Sequence, residues 1–277
     1  MNAIASALSV RRTAGALGAE IHGTGRLSEA SDSLIAELRR LWLQHSVLFF
    51  REQHLSPAEL VGFARRFGTL VEYPYLKGLA EAPEVIAIVK EPHEKANFGG
   101  TWHTDTTYLP QPPMATMLIA RETPPHGGDT AFASCTAAYE ALSPAMQRML
   151  EGLRGINSSV IADKFRTRED VRPDLPPKLF EAEHPVIRTH PETGRKALFV
   201  SSSHTIRFAG MTEAESAPLL AFLFAHQVRQ EFTCRFRWEP GSIAFWDNRC
   251  TLHDAINDYQ GFRRVMHRVT VAGDTPF

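Results

Sequence analysis

The chain has 277 residues, 30 Lys and Arg against 31 Asp and Glu, a formal net charge of −1 and 43% apolar residues. That is globular composition with ample material for a core. A near-neutral chain also lacks the basic surface by which nucleic-acid binders displace counterions. Cys135, Cys234 and Cys250 include no C-x-x-C pair, which sets aside a disulfide framework and a thiolate zinc knuckle. No apolar run approaches the roughly 18–20 residues that cross a bilayer. The arginines near the N-terminus follow a short apolar run instead of preceding it, the wrong order for a secretory signal. The expectation is a reduced, cytoplasmic protein without membrane contact.

No repeat, low-complexity tract or Gly/Ser linker divides the chain, so 1–277 reads as one domain. The first third reads as helical. Leu34, Ile35, Leu38, Leu41 and Trp42 recur at helical spacing, and the apolar run 47–50 follows as a buried strand. Ser56 as N-cap, Pro57 at the first helical position and Glu59 three after the cap start a second helix. Its stripe is Leu60, Phe63, Ala64 and Phe67, with Gly68 as the stop. From about residue 70 the texture changes. The runs 85–89, 114–120, 130–133, 186–189, 198–201, 232–238, 242–246 and 265–271 are short, turn-bounded and rich in β-branched or aromatic residues. Further helices start at Ser143-Pro144 and at Thr212, the latter with Glu215 three residues on. Stretches near 70–100 and 158–184 read as lid loops. The fold class is mainly β with peripheral helices, a sandwich or jelly-roll barrel.

Three motifs carry chemistry. In Trp102-His103-Thr104-Asp105, an extended backbone puts His103 and Asp105 on one face, two-thirds of a 2-His-1-carboxylate triad. His190-Pro191-Glu192 offers the same pair of residue types, with a surface hydrogen bond as its ordinary role. In His126-Gly127-Gly128-Asp129-Thr130 the glycines permit a tight turn, read as a hairpin, that delivers the Thr130 hydroxyl into the next strand. In the run from Gly241 to Thr270, Trp246-Asp247-Asn248-Arg249 precedes His253, and a last strand carries Arg264 and Arg268 on one face. Two cations on one face mark either a solvated edge or a pocket for anions.

The order W-H-x-D, P-x-x-G-G-D-T, W-D-N-R-x-x-x-H, R-x-x-x-R resembles the TauD/TfdA family of iron(II)- and 2-oxoglutarate-dependent dioxygenases, over about residues 8 to 273. The resemblance implies a double-stranded β-helix, or jelly-roll, barrel. It implies iron(II) on His103, Asp105 and His253, with Thr130 and Arg264 on the distal carboxylate of 2-oxoglutarate. Arg268 would face the acidic group of a small anionic substrate. O2 is the second co-substrate, and succinate and CO2 are the co-products. The retained Asp105 favours hydroxylation over halogenation, since related halogenases put a small residue there. Asn248 and Asp254 are candidates to orient the ligands. The stretch after Phe67-Gly68 has no His, and Gly99 stands where taurine-acting members carry Asn, so the likeness does not extend to the residues that bind taurine. The stretches 184–200 and 210–238 resemble bacterial 2-aryloxypropionate dioxygenases, and Tyr73, Phe98 and Tyr108 are candidates to stack on an aromatic substrate. Arg207 is a further candidate anion contact. Family members often form homo-oligomers, dimers or tetramers.

Three other readings stay open: the same chemistry on a biosynthetic carboxylate or amino-acid-like substrate, a non-redox metal-dependent hydrolase, and a binding protein on the same barrel. The paired arginines speak against the hydrolase, which needs no second carboxylate-bearing co-substrate. A complete ligand set speaks against a degenerate binding protein. His22, His45, His204 and His226 are expected in surface or packing roles, and His267, opposite Arg268, is not expected to be a ligand.

Overall fold

A computed structural model describes residues 8–73, 76–160 and 179–277. Its largest unit is an eight-stranded sheet. In order it runs β1 (Ser9–Arg12), β2 (Ala19–His22), β3 (Val47–Phe50), β14 (Ile243–Asp247), β6 (Ala115–Glu122), β16 (Arg264–Val271) and β4 (Leu70–Val71), with β5 (Ile86–Lys90) also paired to β16. A second sheet has the order β13 (Thr233–Phe236), β7 (Thr130–Ser134), β15 (Thr251–Ala255). Smaller sheets join β12 (Thr205–Phe208), β8 (Arg154–Ser158) and β9 (Glu181–Pro185), and β10 (Ile187–Thr189) to β11 (Lys196–Leu198). Every pairing among these is antiparallel except β2 with β3.

Period-two alternation explains how the large sheet serves two cores. Val47 and Phe49 of β3, Leu118 and Ala120 of β6, Ala244 and Trp246 of β14 and Met266 of β16 face the second sheet, meeting Phe132, Cys234 and Phe236. Leu48, Phe50, Met117, Ile119 and Phe245 face the other way, under helices α1 (Asp32–His45) and α2 (Pro57–Arg65). Trp42 of α1 stacks on Phe245 with centroids 4.7 Å apart. Burial on both faces is why 47–50 is a continuous apolar run. Both helices start where their caps dictate. Ser31 accepts from Leu34 N, and Ser56 and Glu59 form a reciprocal capping box. A third core lies under α3 (Cys135–Glu140), α4 (Pro144–Glu151) and α5 (Glu213–Gln227), the last opened by a Thr212/Glu215 capping box.

The chain is mainly β with peripheral helices, as expected, but several local readings change. The strand expected at 47–50 is β3, and the first third also contributes β1 and β2 to the large sheet. The stretch 70–100 is not one lid loop, because β4 and β5 within it pair with β16. Of 158–184, Ser158 ends β8 and Glu181 opens β9, while 161–178 lies outside the described residues. The Gly127-Gly128 turn is not a hairpin: β6 and β7 belong to different sheets, so it crosses between them. No helix among the described residues is long and apolar enough to cross a membrane.

Candidate active site

The two halves of the triad meet through backbone. His103 and His253 form an isolated antiparallel bridge, His103 N donating to His253 O at 3.0 Å and His253 N to His103 O at 2.8 Å. The segment after His103 is a turn, not an extended strand, and Thr106 has φ 43°. It is this turn that carries Asp105 back beneath the two imidazoles. Asp105 Oδ1 lies 3.8 Å from His103 Nε2 and 3.7 Å from His253 Nε2. All three residues are buried, and their donor atoms lie within 4.8 Å of one another. Mixed imidazole and carboxylate donors suit iron(II) or a similar divalent ion.

The surroundings prepare these groups for a metal. His103 Nδ1 lies 2.6 Å from the Thr101 carbonyl, which holds the proton there and leaves Nε2 free to ligate. His253 is held well below its ordinary value, first by burial and then by His103, so it is neutral at pH 7. Burial works to raise the Asp105 carboxyl, but Arg268, His253, His103 and Thr116 outweigh it and hold it well below the usual range. Thr116 Oγ1 donates to Asp105 Oδ2 at 2.7 Å, Asn248 Nδ2 donates to Thr116 Oγ1 at 3.0 Å, and Trp246 Nε1 donates to Asn248 Oδ1 at 3.0 Å. Asn248 is thus one step behind the carboxylate. Asp254 makes no such link among the described residues; burial raises its carboxyl.

A pocket opens beside the cluster, lined by Ile88, Phe98, Gly99, Leu118, Thr130, Trp246, Ala255, Arg264 and Arg268 with both histidines. Strand β16 is interior, not a solvated edge, and Arg264 and Arg268 are each only 4% exposed. Arg268 Nη2 is 3.0 Å from Asp105 Oδ1, and its guanidinium carbon lies 5.1 Å from the Tyr73 ring centroid. Arg264 Nε and Nη2 have no hydrogen-bond partner among the described residues. Donors of that kind, buried and idle, are expensive unless an anion completes them. Burial draws the Arg264 guanidinium below its ordinary value, and nearby Tyr259 and Asp129 oppose it. Trp238 Nε1 donates to Thr130 Oγ1 at 2.9 Å and so orients the hydroxyl.

Of the three aromatic candidates, Phe98 lines the pocket and Tyr73 meets it edge-on at 6.1 Å, while the structure does not bring Tyr108 there. Tyr108 is 1% exposed and packs against His204 and Phe180. His204 is buried and packs against His103 with centroids 6.0 Å apart. Arg207, only partly buried, is not among the pocket residues. His267 takes a hydrogen bond from Arg121 on the other face, as expected. In the His190-Pro191-Glu192 segment, Pro191 and Glu192 are exposed as expected, but His190 is not. His190 is buried and bonds Asp247 at 3.0 Å, and Cys250 lies beside them. That second cluster is an ion-pair network and not a metal site. Arg249 grips both Asp247 oxygens, and two backbone N–H groups on His190 Nδ1 place the ring proton on Nε2, facing the carboxylate. Thr116 and Trp238 are the residues the sequence reading missed. The available signal was one polar residue in the otherwise apolar run 114–120, and a Trp in register with Phe236.

A buried 2-His-1-carboxylate set beside a cation-lined pocket defines the class: a mononuclear metal enzyme with room on the metal for co-substrates. The chain belongs to the TauD/TfdA family, matching the family described as "Taurine catabolism dioxygenase TauD, TfdA family" over residues 9–270. It is therefore an oxidoreductase that uses iron(II), 2-oxoglutarate and O2. The alkylsulfatase of Acinetobacter baylyi is 34% identical over 276 residues, covering 96% of this chain and 86% of that protein. The alpha-ketoglutarate-dependent 2,4-dichlorophenoxyacetate dioxygenase of Cupriavidus pinatubonensis is 35% identical over 261 residues, covering 87% and 89%. A solved putative alpha-ketoglutarate-dependent taurine dioxygenase from Burkholderia xenovorans superposes with a TM-score of 0.84 at 38% identity, covering 97% of this chain and 94% of its own.

Proposed function

We propose that this enzyme hydroxylates a small organic anion with an alkyl or aryl body, at the carbon next to the oxygen of an alkyl sulfate or aryloxyalkanoate, or next to the sulfur of a sulfonate. A hydroxyl placed there collapses the adduct, breaking the C–O or C–S bond and releasing the anion or phenol. The observation that carries this reading is one pocket shared by the His103–Asp105–His253 cluster and two buried arginines. One cation serves each of two anionic ligands. In this reading the two sheets close as a jelly-roll barrel and 1–277 act as one domain.

The division of labour follows from position. His103, Asp105 and His253 hold iron(II), which when bound supplies the redox chemistry coupling O2 and 2-oxoglutarate decarboxylation to hydroxylation. Thr130, aimed by Trp238, and the idle donors of Arg264 hold the distal carboxylate of 2-oxoglutarate. Arg268, beside Asp105, meets the acidic group of the substrate. Ile88, Phe98 and Leu118 offer an apolar wall to its body, and Tyr73 closes it at the Arg268 side. The relatives named for alkyl sulfates and for 2,4-dichlorophenoxyacetate support these two substrate classes. Gly99 has φ +77° and faces His103, with 3.1 Å from a notional Cβ to His103 Cε1. The Asn that taurine-acting members carry has no room to stand there unchanged.

The test is succinate release from 2-oxoglutarate with iron(II), ascorbate and O2, against a panel of alkyl sulfates, aryloxyacetates, both 2-aryloxypropionate enantiomers and sulfonates. Stimulation by an alkyl sulfate or aryloxyalkanoate above the uncoupled background is expected, and Asp105→Ala abolishes it. Background turnover that no member of the panel raises overturns the substrate assignment. Full activity in Asp105→Ala overturns the metal assignment.

A further inference from the structure

Strand β5 lies beside β16 with Lys90 directly opposite Arg264, Ile88 opposite Met266 and Ile86 opposite Arg268. Directly opposed residues share a face of the sheet. Ile88 lines the pocket, so Lys90, two residues on, is on the pocket side as well. Lys90 is 3% exposed and its ammonium has no hydrogen-bond partner among the described residues. Its nitrogen lies 4.5 Å from the centroid of the Tyr259 ring. Tyr259 is 1% exposed and crowds the same point as the Arg264 stem: a methyl group on Gly128 would lie 3.2 Å from Tyr259 Cδ1 and 3.4 Å from Arg264 Cδ. Lys90, Tyr259 and Arg264 therefore form one packed group.

A lysine buried against a single aromatic face recovers only part of the hydration it loses. Asp129, whose charge reaches Arg264, is already engaged by Arg235 at 2.6 Å. Two buried cations on opposed positions of neighbouring strands repel each other unless an anion enters between or beside them. The pocket is where such an anion arrives.

We propose that Lys90 is a positioning residue for 2-oxoglutarate, adding, across the ring of Tyr259, a second positive charge at the Arg264 end of the pocket. The inference rests on the assignment of Arg264 and Thr130 to the distal carboxylate. Lys90 acts through the local field and through the placement of Tyr259 beside Arg264. Its effect is selective for a keto acid that carries a second carboxylate.

The experiment is calorimetric titration of the Mn(II)-loaded protein with 2-oxoglutarate and with 2-oxobutyrate, which shares the keto acid end and lacks the distal carboxylate. Lys90→Met keeps the stem and removes the charge, and it weakens 2-oxoglutarate binding about tenfold while leaving 2-oxobutyrate binding alone. Lys90→Arg restores most of the loss. In turnover, KM for 2-oxoglutarate rises in Lys90→Met much more than kcat falls. Affinity for 2-oxoglutarate within twofold of the parent in Lys90→Met overturns the inference. Equal loss for both keto acids, or no recovery in a folded Lys90→Arg, assigns Lys90 a purely structural role and overturns it too. A parent protein that binds no 2-oxoglutarate overturns the proposed activity first, and the inference with it.

Discussion

The carboxylate of Asp105 is aimed by a line of side chains. Its Oδ1 faces the two imidazoles and Arg268, while its Oδ2 is tied by Thr116, which is itself held by Asn248 and Trp246. A carboxylate fixed at one oxygen presents the other without rotating, and so loses less freedom when it takes a metal. Thr116→Val keeps the shape, removes the donor to Asp105 and leaves the buried Asn248 amide without its acceptor. Metal affinity is expected to fall on the order of 10–100-fold, and stability by about 1–3 kcal/mol. Titration of Mn(II) or Co(II) into the parent, Thr116→Val and Thr116→Ser decides it. Ser keeps the hydroxyl and should retain most of the affinity. Unchanged affinity in Val would mean that the His103–His253 backbone bridge alone sets the carboxylate.

At the scale of elements, the turn 124–130 does more than reverse the chain. It carries Thr130 from the large sheet into the second one, and Gly128 does so at φ +70°, its N–H donating to Asp258 Oδ1 at 2.7 Å. Gly128→Ala meets a strained backbone and three contacts at once: Pro124, Tyr259 and Arg264. The expected cost is about 1–2 kcal/mol, with a raised KM for 2-oxoglutarate, because Tyr259, packed beside the Arg264 stem, must give. Denaturant unfolding and 2-oxoglutarate kinetics on the same variant check both halves; a loss of stability with KM unmoved would separate the turn from the site. What the sequence made legible was local. Capping boxes fixed the starts of α2 and α5, and alternation put Arg264 and Arg268 on one face. Pairing across long separations was not legible. Nothing local says that β6 and β7 part into different sheets, that Asp105 folds back through a turn, or that Lys90 stands opposite Arg264. The strand bearing His253, Thr251–Ala255, has no strand pattern of its own; its pairing with β7 extends it. Burial of His190 is not legible in its own segment, because it depends on Asp247 and Arg249 arriving from elsewhere in the chain.

Across the whole molecule, buried imidazoles tie folding to pH. Burial, joined by His103, pulls His204 down to about 3, and burial with Arg121 pulls the half-buried His267 down to about 4. His184 and His253 are lowered as well, burial again being the main cause. In the unfolded chain each takes a proton near pH 6.5. Between that value and the folded ones the unfolded state binds more protons, so stability is complete above about pH 6.5 and drains as pH falls. Asp105 and Asp247 add a later loss. Both are held well below the usual carboxylate range, so their contribution is present above about pH 4 and disappears beneath it. Melting of the metal-free protein should therefore decline in two overlapping stages, a histidine stage from about pH 6.5 to 3 and a carboxylate stage that joins it below about pH 4. His267→Gln, on the face of β16 turned away from the proposed metal ligands, should flatten part of the first stage and leave the second alone. Added Mn(II) should raise the melting temperature at pH 7.5 and lose that effect as the pH drops, because protons and metal compete for the same imidazole nitrogens. A melting temperature flat between pH 7 and 5 in the metal-free protein would mean that these rings already carry their protons when folded. That outcome would be hard to reconcile with the rings of His184, His204 and His253 packed against Phe, Tyr and Trp side chains.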